Sequence, residues 1–98
     1  MSEGIVEGEI LVIDEPNLSI DATDKIIVTK MTDPGWVFLI KNCKGIIAQQ
    51  GSLLSHTAII SRELNKPAIV NVKNVLQLVM TGERVKINGL TGEIEKLL

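Results

Sequence analysis

The stretch from Gly45 to Val70, GIIAQQGSLLSHTAIISRELNKPAIV, reads as a short apolar strand, a loop, a helix and a second short strand. Ile46-Ile47-Ala48 is a brief run of the kind buried inside a sheet, and the glycine-containing loop that follows leads to Ser55. The Ser55 hydroxyl is placed to accept from backbone N–H groups two or three residues on, and so to cap a helix. That helix carries Thr57, Ile60 and Leu64 on one face, with Ala58 and Ile59 beside them. It stops at Asn65-Lys66, because Pro67 disfavours the helical region for the residue before it. Ala68 to Val70 then returns as strand. The only histidine of the chain, His56, falls at the start of the helix.

Working outward, Glu9 to Ile13 and Lys25 to Thr29 are rich in Ile and Val and read as strands, separated by a polar loop through Asp14-Glu15-Pro16-Asn17. Thr32-Asp33-Pro34-Gly35 is a helix start, with Asp33 as cap and Pro34 in the first turn. Trp36, Leu39, Ile40 and Cys43 have the spacing of a buried helical stripe, plain core packing, and Gly45 closes that helix. Further on, Asn74 caps a brief helix through Val79, which Gly82 ends. Arg84 to Asn88 and Glu93 to Leu97 make a hairpin around Gly89-Leu90-Thr91-Gly92. The resulting order, β, β, α, β, α, β, α, β, β, is that of a mixed α/β domain with about three short helices.

Composition narrows the function classes. At 98 residues the chain is expected to be one domain, residues 1–98, too short to hold a nucleotide-binding domain and a barrel besides. Its 45% apolar and 22% charged residues suit an ordered globular protein. No apolar run approaches the ~20 residues of a membrane span, and Met1-Ser2-Glu3-Gly4 lacks the basic and apolar regions of a secretion signal. A cytoplasmic location, with no membrane partner, is the expectation. The single cysteine, Cys43, excludes an internal disulfide and reads as a buried structural residue. Ten basic against twelve acidic side chains, without a basic block and with only Trp36 and Phe38 for base stacking, argue against nucleic acid. One histidine and one cysteine make a structural zinc site improbable, and no metal ligand set is expected. Neither a P-loop nor a Gly-x-Gly-x-x-Gly is present, so nucleotide recognition is not encoded in this chain.

A lone histidine is commonly a surface or core residue. At a helix start it has another use, because the first N–H groups of a helix lack partners and favour a nearby anion such as a phosphoryl group. Gly45-Ile46-Ile47, Gly51 through Arg62 and Glu63 through Val70 together resemble the phosphohistidine swivelling domain of the phosphoenolpyruvate-utilising enzymes, a family that includes pyruvate phosphate dikinase, phosphoenolpyruvate synthase, enzyme I of the sugar phosphotransferase system and the rifampin phosphotransferases. Gly4-Ile5-Val6-Glu7-Gly8 resembles the domain's opening, Thr32-Asp33-Pro34-Gly35-Trp36 a segment of the synthase-like branch, and Val85 to Gly89 with Thr91-Gly92 its closing hairpin. Nearly the whole chain, from about Gly4 to Glu95, is covered by these matched segments. The chain differs from the family pattern at Ser52, where glycine or alanine is usual, and at Leu54, where threonine, serine or asparagine is usual.

The resemblance implies a compact layered β/β/α swivelling domain with mixed sheets. It implies His56 as the phosphoryl-accepting nucleophile, Gly51, Ser52, Ser55 and Thr57 as the phosphate-binding loop, and Arg62 as a contact to phosphate or to a partner. Ser55 reads as a cap rather than a second nucleophile. The implied activity is that of a phosphotransferase component which needs partners for turnover: a separately encoded nucleotide- or phosphoenolpyruvate-binding subunit loads His56, and an acceptor unloads it. No cofactor is expected on this domain alone, and Mg²⁺ is expected at the partner's active site. In multidomain members the unit is tethered and swings between two sites. Here it is expected to be free-standing, and to diffuse or dock. The alternatives are a non-catalytic binding or regulatory module that keeps the fold with an eroded site at Ser52 and Leu54, and a structural subunit whose histidine works only inside a complex.

Overall fold

The computed structural model describes residues 4–13, 20–30, 37–50, 56–89 and 91–97. Their elements follow the expected order: β1 (Ile5–Val12), β2 (Lys25–Thr29), α1 (Val37–Ile40), β3 (Gly45–Ala48), α2 (His56–Glu63), β4 (Ala68–Ile69), α3 (Val75–Leu78), β5 (Arg84–Asn88) and β6 (Glu93–Leu97). The strands form one six-stranded sheet in the order β4-β3-β2-β1-β5-β6. Neighbours from β4 to β1 are parallel, and the β1–β5 and β5–β6 pairs are antiparallel.

The start of β1 differs from expectation, because Ile5 to Gly8 is strand as well. This first half pairs antiparallel with β5, Ile5 opposite Asn88 and Gly8 opposite Val85, while the second half pairs parallel with β2, Ile10 opposite Ile26. A glycine at position 8 interrupts the hydrophobic pattern. In the folded chain its missing side chain leaves room for Ile26 and for the Lys44 stem, each 3.3 Å from where a Cβ would stand.

Period-2 alternation sorts the strand residues into two cores. Ile10, Ile26, Val28, Ile47, Ile69, Val85 and Ile87 form one, joined by Val75 and Val79 from α3 and its end. Ile13, Ala22, Ile27, Ile46 and Ala68 form the other, with Leu39, Ile40 and Cys43 from α1 and the turn after it.

Gly45 shows how the sheet bends. β3 and β5 are three strand spacings apart, about 14 Å in a flat sheet. Yet the Ile87 Cδ1 lies 2.8 Å from where a Gly45 Cβ would stand, with the Pro67 carbonyl oxygen at 3.1 Å. The sheet therefore curls until its antiparallel half faces its parallel half across the first core, while α1 and α2 cover the parallel half over the second. This is the β/β/α layering expected, with its two β layers supplied by a single mixed sheet. Gly45 is thus the first residue of a strand, and its role as a helix stop is corrected.

Other local readings also change. Cys43 lies in the turn after α1 rather than in the helix, and its buried thiol donates to the Ile40 carbonyl at 3.2 Å. Trp36 and the start expected at Thr32 to Gly35 are outside the described residues, as is the polar loop from Asp14 to Asn17. Gly82, with φ +100°, stands third in a four-residue turn closed by Glu83 N–H on the Met80 carbonyl at 3.1 Å. It turns the chain into β5, and α3 ends earlier, at Leu78. The closing hairpin has its expected bounds.

Burial pushes the Cys43 thiol up to about 11 from an ordinary 9.0. Below about pH 9 both folded and unfolded chains keep the proton, so the burial is fully favourable there. Between about 9 and 11 the unfolded chain releases its proton while the folded one does not, and stability falls by about 2 kcal/mol. Urea unfolding of the wild type and of Cys43→Ala across this window should show the wild type losing more stability. Parallel pH dependences would refute the assignment.

Candidate functional site

The site is built at the carboxyl end of the parallel strands, the end at which open α/β sheets present their ligands. Beyond β3 the Gln49 N–H donates to the Thr29 carbonyl at 2.9 Å and the Gln50 N–H to the Lys30 carbonyl at 2.8 Å, so the chain stays paired to β2 for two residues after the strand. From the other side the Val72 N–H reaches the Ala48 carbonyl at 3.2 Å. The backbone that leads into Gly51 is held on both flanks.

The loop residues expected to contact phosphate, Gly51, Ser52 and Ser55, and with them Leu54, are outside the described residues. α2 begins at His56, as expected. Thr57 is in the same first turn, and the side chains of both residues likewise lie outside the described part. The amino end of a helix carries partial positive charge and N–H groups without partners inside the helix, and these attract anions. No acidic residue stands in this first turn to compete for them.

The rest of the helix shows which side faces solvent. Ser61 is fully buried, and its hydroxyl has no hydrogen-bond partner among the described residues. Positions 59 and 63 lie within about 60° of position 56 around the helix, whereas 61 is about 140° away. Ile59 is 42% exposed and Glu63 is exposed, so the side of α2 that carries these two residues is turned to solvent. The expectation that Ile59 flanks the buried face is corrected: Ile59 is exposed, and Ser61, nearly opposite it, is fully buried. Arg62 is exposed in the last turn, about 9 Å along the axis and about 120° around from His56. The helix therefore does not bring these two together at one end.

The helix stop is sharper than Pro67 alone would make it. Asn65 adopts φ +57°, the Asn65 N–H donates to the Arg62 carbonyl at 3.2 Å and the Lys66 N–H to the Ser61 carbonyl at 2.8 Å. This is the Schellman pair of bonds with asparagine in place of glycine. Pro67 follows, and its carbonyl accepts from the Ile46 N–H at 3.0 Å, setting β4 directly beside β3.

Gln49 escaped the sequence reading. Its Oε1 accepts from the Leu76 N–H at 3.3 Å, across 27 residues. Asn74 does occupy the N-cap position of α3, but with φ 63° and no side-chain cap bond. Nothing in the sequence near Asn74 signals a cap supplied from so far away.

Away from this end, the outer face of β1, β5 and β6 alternates in charge, with Glu7 opposite Lys86 and Lys86 opposite Glu95. Lys25 pairs with Glu9 and holds that carboxyl below its ordinary range. Among the described residues no group of three or more His, Cys, Asp or Glu side chains is arranged to hold a metal. No helix among them is long and apolar enough to cross a membrane.

The family model of the mobile domain of PEP-utilising enzymes matches residues 20–92. The chain is 40% identical to a rifampicin phosphotransferase of Bacillus cereus over 99% of its own length and 11% of the relative's. It is 41% identical to a probable phosphoenolpyruvate synthase of Staphylothermus marinus over 95% of its length and 12% of the relative's. The chain thus spans about a ninth of the length of these curated relatives. Among solved structures, an enzyme I protein superposes with a TM-score of 0.69 at 29% identity, covering 83% of this chain and 34% of that one. The aconitase X of Thermococcus kodakaraensis superposes with a TM-score of 0.78 at 18% identity, covering 99% and 93%, which is a likeness of fold.

Proposed function

The chain belongs to the mobile-domain family of the phosphoenolpyruvate-utilising enzymes, and from that premise we propose that it is a phosphohistidine carrier: His56 accepts a phosphoryl group at one active site and delivers it at another. The observation that carries this reading is the position of His56 as first residue of α2, the helix that follows the parallel strand β3 in the chain. An imidazole with an ordinary pKa of about 6.5 is largely neutral at physiological pH and keeps a free lone pair. That ring nitrogen attacks the donor phosphorus, an N–P bond forms as the donor's bond to phosphorus breaks, and the amino end of α2 faces the growing negative charge. In the second step an acceptor oxygen takes the phosphoryl group, the N–P bond breaks and the imidazole recovers its lone pair.

Among the described residues no group of three or more His, Cys, Asp or Glu side chains is arranged to hold the Mg²⁺ that phosphoryl transfer uses. Thr29, Lys30 and Val72, which bond the root of the loop, are not carboxylates suited to Mg²⁺. The nucleotide or phosphoenolpyruvate site, its Mg²⁺ and the acceptor site are therefore assigned to partner domains or subunits. Gly51, Ser52, Ser55 and Thr57 are proposed to surround the phosphate. Arg62, at the far end of α2, is better placed for the partner surface.

The test is incubation with the partner kinase or phosphoenolpyruvate-binding protein and labelled donor. The carrier reading expects one phosphate per chain, labile to acid and stable to base. A wild type that stays unlabelled with every such donor favours the second reading, a binding or regulatory module. Leu54 supports that alternative, because leucine cannot orient a phosphoryl group as a hydroxyl or amide does. If Leu54 does limit a working carrier, Leu54→Thr should raise the rate of phosphorylation about tenfold, the worth of one hydrogen bond to a charged group, with little change in melting temperature. An unchanged or slower rate would show that orientation comes from elsewhere.

A further inference from the structure

We propose that Gln49 is a positioning residue for His56, a role that rests on the carrier reading only for its effect on rate. Three observations converge on it. Its N–H is committed to the Thr29 carbonyl of β2 at 2.9 Å. Its side-chain oxygen takes the Leu76 N–H at 3.3 Å. With Asn74 as N-cap, Leu76 is the second residue of α3, and its N–H is a donor that a capping side chain ordinarily satisfies. Asn74 makes no such bond, so the end of α3 is completed by the residue from which the histidine segment departs.

The geometry makes this more than a helix cap. Gln49 is half-buried, and the neighbouring Ala48 carbonyl already holds the Val72 N–H. The connection from β4 into α3 thus grips the β3 exit twice, once through Ala48 and once through the Gln49 side chain. β2 holds the same exit from the other flank. Removing the side-chain bond frees one of these three constraints, and the nucleophile follows after six residues. An in-line transfer is sensitive to displacements of about 1 Å. The role differs from those of the loop residues, because Gln49 acts through the backbone and touches no reacting group.

The experiment compares Gln49→Met, which keeps the length and loses the acceptor, with Gln49→Glu, which keeps the acceptor. Phosphorylation of His56 is measured as a function of partner concentration, at a temperature where each variant is fully folded. Gln49→Met should lower the maximal rate about ten- to a hundredfold while leaving half-saturation by the partner unchanged, and Gln49→Glu should restore it. A purely structural cap would change the melting temperature without changing the rate of the folded protein. The second readout needs no phosphorylation: the backbone amide and ring resonances of His56 should shift in Gln49→Met and return in Gln49→Glu. A wild type that is never labelled overturns the carrier reading alone. Unmoved His56 resonances in Gln49→Met, or a folded Gln49→Met that reacts at the wild-type rate, overturn the role of Gln49.

Discussion

Gly45→Val should leave the chain unable to fold, and Gly45→Ala should lower its melting temperature by about 5–20 °C. An added Cβ stands 2.8 Å from the Ile87 Cδ1 and 3.1 Å from the Pro67 carbonyl oxygen. Ile87 is fully buried and cannot swing away into solvent, and the Pro67 carbonyl is fixed by its bond from Ile46. Overpacking of this kind costs about 1–3 kcal/mol for one methyl, each kcal/mol being about 4–8 °C in a domain of this size. Two further methyls carry the cost beyond about 4 kcal/mol, a large part of the total stability of a small domain. Trimming the obstructing atom tests the mechanism. In Gly45→Ala combined with Ile87→Val the two losses should add to less than their sum, because the second change deletes the Cδ1 that the first collides with. Gly82→Ala is the control, since nothing lies within 4 Å of its Cβ and only φ +100° opposes it. A melting temperature for Gly45→Ala within 2 °C of wild type, on the order of the shift from a few tenths of a kcal/mol, would refute the close approach of β5 to β3.

His56→Ala should abolish labelling altogether while changing stability by less than about 1 kcal/mol. It removes the only histidine, and hence the only side chain able to hold a phosphate on an imidazole nitrogen. It does so on the side of α2 where Ile59 and Glu63 are exposed, and alanine favours the helix. His56→Gln separates chemistry from polarity, since an amide has comparable size but no lone pair of similar basicity. Neither variant should be labelled under conditions that label the wild type. Retained label in either one would move the phosphate to another residue, and unfolding of His56→Ala would make His56 a packing residue.

Most of the element order was legible because it rests on local signals. The hairpin bounds at Arg84, Asn88, Glu93 and Leu97 follow from alternation around two glycines, and β2 from an unbroken run of Ile and Val. His56 was legible as the start of α2 for the same reason. What was not legible depends on distant partners. Gly45 follows a helical stripe and precedes an apolar run, so a helix stop and a strand start are equally good local readings, and the approach of Ile87 decides between them. Gly8 interrupts a pattern that resumes only when β5 is known to lie beside it. Gln49 looks like any loop residue until α3 is folded against it. Ser61 could not be told from a solvated serine, because the helix rotation is set by the sheet beneath it.

The double allegiance of β1 bears on the order in which the chain acquires its structure. Its first residues pair with β5, so that Ile5 waits for Asn88. Contacts that span nearly the whole chain form late, since the entropy of closing such a loop is lost before any contact compensates it. A nascent chain that has emerged only as far as α3 can assemble the parallel strands β1 to β4, but half of β1 then stands as an open edge beside an uncovered core. Synthesis at about 5–20 residues per second leaves that edge exposed until β5 has left the ribosome, and it is β5 that closes the first strand.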